Sequence, residues 1–163
     1  MATGVATKYF LLFVLVTGLL VAFGCADRGG GGGGDGPEIQ LATLINNARS
    51  NPMNYDAAIA AVEQAHAEWL SQQPPAPFTY PYYEEGEGGK YFADRLNDAS
   101  ITFSECKEYG FDDESLSNAN LVWEQLQSTD ILDTKWDTFG IGFKAPPGRE
   151  SGRRYWVIGV INK

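Results

Sequence analysis

The end of the chain sets the strongest constraint on the fold. Two runs rich in β-branched and aromatic residues, 138–145 (TFGIGFKA) and 153–162 (RRYWVIGVIN), flank the segment PPGRESG, whose prolines and glycines are typical of a turn. This pattern predicts an antiparallel hairpin at the C-terminus. A two-stranded hairpin needs other elements to cover it, and the segments before it have helical periodicity, so we expect an α+β fold in layers.

Four segments upstream of the hairpin are predicted to be helices. The first begins at Pro37, which suits the first turn of a helix, and ends before Asn51-Pro52. The others are expected at about 54–72, 87–98 and 113–127, each with apolar residues at helical spacing, and the last capped by Asp112 or Asp113.

The N-terminus has the pattern of an export signal. Lys8 precedes an uncharged apolar run, 9–23 (YFLLFVLVTGLLVAF), of the length expected for the hydrophobic part of a signal peptide and shorter than the roughly 20 residues of a membrane-spanning helix. The sequence VAFGC that ends at Cys25 resembles the lipobox of bacterial lipoproteins, although Ala22 stands where Leu is more usual. Cleavage before Cys25 and acylation of this residue are predicted. A secretory signal with an unmodified Cys25, or an uncleaved anchor helix, would also export the chain.

These features divide the chain into three parts. Residues 1–24 are the predicted signal peptide, and 25–36 are the lipidated cysteine with a glycine-rich linker that cannot bury apolar surface. Residues 37–163 form the folded domain. More than one acyl chain on Cys25 would give lasting attachment to a membrane outside the cytoplasm, periplasmic or at the cell surface.

The charge of the chain argues against nucleic acid as a partner. Removal of 1–24 takes away only Lys8 and leaves 11 basic and 21 acidic residues, a net charge of −10. Binding to phosphate backbones requires clustered Lys and Arg. With Cys25 acylated, Cys106 is the remaining thiol, so the mature domain can form no internal disulfide.

Several segments resemble the CAP superfamily, which comprises SCP-like domains, cysteine-rich secretory proteins, antigen 5 and pathogenesis-related 1 proteins. LATLINNARSNPMNYDAAI is similar to the opening helix of its bacterial members, and KYFADRLNDASITFSE to a later helix that ends in Phe-Ser-His. ILDTKWDTFGIGFK and RYWVIGVI resemble the two closing strands. The resemblance implies a CAP/SCP-like α-β-α sandwich with a C-terminal antiparallel hairpin.

The same resemblance implies a cleft with two His and two acidic residues that can hold a divalent metal, but this chain departs from that pattern. Glu105 stands in the place of the first His, the expected Gly-Glu-Asn motif is missing, and the second His is absent where Ser128 leads through Asp130 into Ile131. We therefore expect no metal and no cofactor. The chain is identified as a degenerate member, more in keeping with a binding protein than with an enzyme.

The candidate binding residues are few. His66, the single histidine, lies on the apolar stripe of the second helix and is either a packed structural residue or part of the cleft. Tyr80, Tyr82 and Tyr83 lie in a proline-rich loop and form either an amphipathic contact surface or a plug over the core. Glu105 and Asp130 complete the set.

The sequence predicts an exported, membrane-anchored CAP/SCP-like lipoprotein of the bacterial cell envelope. Its domain would be a non-catalytic module that binds a lipid, a glycan or a protein. The alternative is a hydrolase of envelope polymers with a carboxylate pair, and a third possibility is a structural protein without a small ligand. Two nearby acids, one with a raised pKa, would favour the hydrolase. Candidate acids for such a pair are Glu84, Glu85, Glu87, Glu105, Asp112 and Asp130.

Overall fold

The structure is a computed structural model that describes residues 36–73, 86–145 and 152–163. Its elements are helices α1 (Pro37–Ala48), α2 (Ala57–Leu70), α3 (Phe92–Asp98) and α4 (Ala119–Leu126), and strands β1 (Asn54–Tyr55), β2 (Glu105–Asp113), β3 (Thr138–Lys144) and β4 (Arg154–Asn162). Short 3₁₀ turns lie at Glu87–Gly89 and Asp130–Leu132. No helix in the described ranges is both long and apolar enough to cross a membrane.

The strands form one mixed sheet in the order β1-β3-β4-β2. The predicted hairpin is confirmed, because β3 and β4 pair antiparallel from Thr138↔Ile161 to Lys144↔Tyr155. On the outer edge of β4, β2 adds a further antiparallel strand, and the two residues of β1 pair with β3 in parallel. The α+β fold class expected from the sequence is confirmed.

The sheet lies between two layers of helices, as the alternation along β4 requires. Trp156, Ile158 and Val160 pack in the cluster that contains the apolar faces of α1 and α4. Val157 and Ile161 point to the opposite face, where they contact residues of α2 and α3. Because successive residues of a strand face opposite sides, one strand supplies both cores of the sandwich.

Helix α2 packs directly on the backbone of β3. A Cβ atom on Gly140 would lie 2.2 Å from the backbone nitrogen of Ala60, and one on Gly142 would lie 2.2 Å from the carbonyl oxygen of Glu63. The Gly-Ile-Gly pattern of β3 is therefore a packing requirement, in which the glycines admit the helix and Ile141 faces the other core.

The structure differs from the sequence prediction in α4 and in β2. The fourth helix starts at Ala119 with Asn118 as its cap, through hydrogen bonds from the backbone of Asn120 and Leu121, and neither Asp112 nor Asp113 caps it. Residues 105–113 form strand β2, which the sequence did not predict, because their polar, glycine-containing pattern becomes regular only through pairing with β4.

Arg49 joins the end of α1 to the segment after α4. Its guanidinium is buried and donates hydrogen bonds to the carbonyl oxygens of Ile131 at 2.5 Å, Asp133 at 2.9 Å and Trp136 at 2.7 Å. These bonds satisfy carbonyls that have no ladder partner, so the arginine of the LINNAR segment has a structural role.

Candidate functional site

Two ionisable side chains of α2 face the sheet. Glu63 and His66 are three residues apart and share one face of the helix; Glu63 is 0% exposed and His66 2%. The cap of α2, Asp56, accepts hydrogen bonds from the backbone of Ala58 and Ile59 and fixes where the helix begins. The close contact of α2 with β3 then brings both side chains against the sheet.

Glu108 of β2 and Arg95 of α3 complete a four-residue group, which we call the buried ionic cluster: Glu63, His66, Arg95 and Glu108. The Oε1 atom of Glu108 lies 2.8 Å from His66 Nδ1 and accepts a short hydrogen bond from Arg95 Nη2. Arg95 Nη2 also lies 2.8 Å from His66 Nδ1. The side chains of Glu108 and Arg95 are 6% and 11% exposed, so this ion pair is largely withdrawn from water.

The triangle of close contacts limits how His66 can hydrogen-bond. Arg95 can only donate, so His66 Nδ1 either accepts from Arg95 or carries a proton and donates to Glu108. In both arrangements Nδ1 is used within the cluster. The second ring nitrogen, Nε2, is buried and has no hydrogen-bond partner among the described residues. It is the atom of His66 left for another group.

Glu63 occupies space that Gly159 leaves open. In the sheet, Gly159 lies between Glu108 on one side and Gly140 on the other, and a Cβ atom on Gly159 would come within 2.0 Å of Glu63 Oε1. Neither carboxyl oxygen of Glu63 has a hydrogen-bond partner within the described ranges. Burial, together with the nearby negative charge of Glu108, raises the pKa of Glu63 well above its usual range, which favours its neutral form.

Glu108 has the opposite character. Burial alone would raise the pKa of its carboxyl, but the hydrogen bond with His66 and the positive charge of Arg95 outweigh that effect and lower it. The cluster thus contains one acid with a raised pKa and one with a lowered pKa, and Arg95 forms an ion pair with the second.

The cluster includes a set of side chains that could hold a metal ion. Glu63, His66 and Glu108 each offer a ligand atom, all within 4.8 Å of one another, and Zn²⁺ is bound by such nitrogen and oxygen atoms at about 2.0–2.2 Å. The guanidinium of Arg95, however, already stands as a fixed cation beside His66 and Glu108. The two-histidine site implied by the family resemblance also needs a histidine that this chain lacks. The residues do not fit that metal centre.

A pocket of about 570 Å³ lies beside the cluster, between α2, α3 and the turn at 86–90. Its volume falls in the range of small-molecule sites. His66 and Arg95 belong to both the cluster and the pocket wall, and Trp69 lies next to His66, with 5.9 Å between ring centroids. Neither Glu63 nor Glu108 is among the residues that line it.

The proposed binding residues that the structure describes do not form one site. Among these, only His66 lies in both the cluster and the pocket wall. Glu105 is exposed and pairs with Lys135 at 3.1 Å, and Asp130 accepts hydrogen bonds from Lys107 at 2.6 Å and the hydroxyl of Tyr109 at 2.8 Å. The remaining candidates lie outside the described residues: Cys25, Tyr80, Tyr82 and Tyr83.

Sequence reasoning missed three members of the cluster. Glu63 carried a usable signal, because Glu-x-x-His on a helix places an acid and an imidazole on one face. Arg95 and Glu108 carried none, since each lies in a polar segment and meets His66 only through tertiary packing. Of the acids proposed for a carboxylate pair, Glu87 lines the pocket, while Glu84 and Glu85 lie outside the described residues.

Several solved structures are similar to this fold. An extracellular protein containing an SCP domain from Bacillus anthracis str. Ames aligns over 78% of this chain and 41% of its own length, with 16% identity and a TM-score of 0.62. A cysteine-rich secretory protein from Staphylococcus aureus subsp. aureus Mu50 aligns over 78% of this chain and 39% of its own length, with 14% identity and a TM-score of 0.55. An outer surface protein from Borrelia burgdorferi aligns over 78% of this chain and 92% of its own, with 15% identity and a TM-score of 0.61.

These similarities show a shared fold and no more, because the sequence identities are low and two of the proteins are covered only in part. This chain spans about two fifths of the length of the Bacillus and Staphylococcus proteins. No protein-family model matches the sequence, and no curated protein does. The resemblance drawn from the sequence is confirmed at the level of architecture: the chain has the α+β fold of the CAP/SCP-like domains, at 15–16% sequence identity.

Proposed function

We propose that this protein is an exported lipoprotein, anchored through Cys25, whose CAP/SCP-like domain is a non-catalytic binding module at the bacterial cell envelope. The observation that carries the binding role is the α2–α3 pocket, in whose wall His66 has a buried Nε2 atom without a partner among the described residues. A buried polar atom without a partner costs about 1–3 kcal/mol, and a ligand in the pocket would remove that cost.

The location at the envelope has separate support. The apolar run at 9–23 and the lipobox-like VAFGC predict export and acylation of Cys25. Two structures of similar fold are described as an extracellular protein and an outer surface protein. These descriptions agree with an envelope location for this chain.

A hydrolase with a carboxylate pair is the second candidate, because Glu63 has a raised pKa and lies next to Glu108. Two observations weigh against it. Neither acid lines the pocket, and Glu63 is fully buried.

The anchor is tested by metabolic labelling with palmitate, followed by membrane fractionation. We expect the wild-type chain to carry the label, Cys25→Ser to lose it, and the matched control Cys106→Ser to keep it. Persistence of the label in Cys25→Ser would contradict acylation at this position.

The non-catalytic role is tested with the purified full-length chain and isolated envelope material. We expect no soluble products beyond those released by heat-inactivated protein, measured by mass spectrometry. Products that form with the wild-type chain and disappear with Glu63→Gln would instead establish the carboxylate-pair hydrolase.

A further inference from the structure

Two residues of the pocket wall carry polar atoms that lack a partner among the described residues. His66 Nε2 and Arg95 Nε are both buried and have no partner in the part of the chain that the structure describes, and both residues line the pocket. Arg95 Nε is always a donor, whereas His66 Nε2 donates or accepts according to the tautomer set by Arg95 and Glu108. A hydroxyl group can meet either form of His66 and can also accept from Arg95.

The charges around the pocket argue against an anionic ligand. Lys90 and Arg95 contribute two positive charges, and Glu87 and Asp98 contribute two negative ones, so the formal charges balance. Lys90 is also bound to Asp98 at 2.5 Å, and Arg95 to Glu108. Because the whole chain has a formal net charge of −9, its field also repels anions.

Trp69 gives the pocket an aromatic surface beside these polar groups. It is partly exposed, lines the pocket, and stands one helical turn from Ala65, which is exposed in the same wall. An aromatic side chain beside scattered donors and acceptors suits a ligand with one apolar face and a rim of hydroxyls.

We propose that the α2–α3 pocket binds a neutral sugar unit of an envelope glycan, with the ring against Trp69 and its hydroxyls on the side of His66 and Arg95. This inference deepens the proposed function and rests on its binding role. It selects the glycan among the lipid, glycan and protein ligands that the sequence left open, because an uncharged sugar combines an apolar ring face for Trp69 with a rim of hydroxyls and suits the balanced charge.

The test is calorimetric titration of the full-length chain in detergent with uncharged trisaccharides of glucose and of N-acetylglucosamine, and with inorganic phosphate. We expect one saturable site for at least one trisaccharide and none for phosphate. Trp69→Ala should weaken binding about tenfold, and Trp69→Phe should restore most of it. The control Trp123→Ala, on α4 in the other helix layer, should change the affinity less than twofold.

A second pair of variants keeps the test decisive if Trp69→Ala fails to fold. Ala65 and Ala61 are both exposed on α2, but only Ala65 lines the pocket. Ala65→Leu should weaken sugar binding at least fivefold by filling the pocket, and Ala61→Leu should leave it unchanged. Absence of binding for every trisaccharide, saturable phosphate binding, or equal affinities for Ala65→Leu and Ala61→Leu would overturn the inference.

These outcomes are separate from a failure of the proposed function. Loss of sugar binding refutes the glycan class while leaving the palmitate label on Cys25 unaffected. Release of soluble products from envelope material would refute the non-catalytic role, whether or not the trisaccharides bind.

Discussion

The two helix layers cover the same sheet with different chemistry. On the face of α1 and α4, the contact is apolar, and its buried polar residue Arg49 is satisfied by backbone carbonyls. On the face of α2 and α3, the sheet meets the buried ionic cluster, five of whose side-chain atoms have no partner among the described residues. The first face is built for stability, whereas the second gives up stability for polar groups beside a pocket, which is the usual character of a functional site.

The largest expected effect tests the apolar face. Phe139 is fully buried in the cluster with α1 and α4, where its ring packs edge-on to Tyr55. Phe139→Ala should lower the free energy of unfolding by about 4 kcal/mol, because it removes buried surface and leaves a cavity. Urea denaturation followed by circular dichroism measures the change. A loss below about 1 kcal/mol would mean that this face is not the main source of stability.

The next effect tests the ion pair on the other face. Arg95→Met keeps most of the side-chain volume but leaves the ionised Glu108 without its fixed cation. We expect a loss of about 3 kcal/mol at pH 7, because an unpaired buried charge remains. The double variant Arg95→Met with Glu108→Gln should recover much of this loss. If the double variant is no more stable than the single one, the pair is not coupled as described.

The third prediction is a variant that raises the free energy of unfolding. The pKa of Glu63 is raised in the folded state, so the native chain binds one more proton than the unfolded chain above the unfolded pKa of about 4.3. Its effect on stability is absent below that pH, and stability falls as pH rises, by up to about 1.4 kcal/mol per pH unit, until the folded pKa is passed. Glu63→Gln should therefore be more stable than the wild type by at least about 1 kcal/mol at pH 7 and about equal at pH 4.

Denaturation at several pH values measures the difference in the free energy of unfolding between Glu63→Gln and the wild type. Glu108 should affect the pH dependence of stability in the opposite direction. Its lowered pKa contributes stability that is present above about pH 4.3 and lost as pH falls through the folded pKa. A wild-type minus Glu63→Gln difference that does not change with pH would contradict a buried neutral Glu63.

The smallest effect concerns a residue that the sequence placed in the binding site. Glu105 is exposed and pairs with Lys135, which is itself largely exposed. Glu105→Gln should change the free energy of unfolding by about 0.5 kcal/mol or less and leave sugar binding unaffected, since exposed ion pairs contribute little. A larger loss of binding than in Ala65→Leu would move the site from the α2–α3 pocket to Glu105.

The sequence predicted the C-terminal hairpin better than strand β2 and the buried ionic cluster. The hairpin of β3 and β4 was predictable because both strands are largely buried and are therefore local runs of β-branched and aromatic residues beside a turn. Strand β2 was not, since its regularity comes from pairing with β4, nor was the cluster, whose members come from α2, α3 and β2. His66 was identified as a candidate from its single occurrence, but Arg95 and Glu108 become visible only when the three segments meet.

The backbone contact between α2 and β3 also determines which parts of the pocket can diverge. With Gly140 and Gly142 directly beneath the helix, a shift of α2 along the strand, or any side chain at either glycine, would force the helix off the sheet. The wall that carries His66 and Trp69 is thereby fixed in place. Homologues that keep these glycines can change ligand through α3 and the turn at 86–90, so sequence drift should concentrate on that side of the pocket.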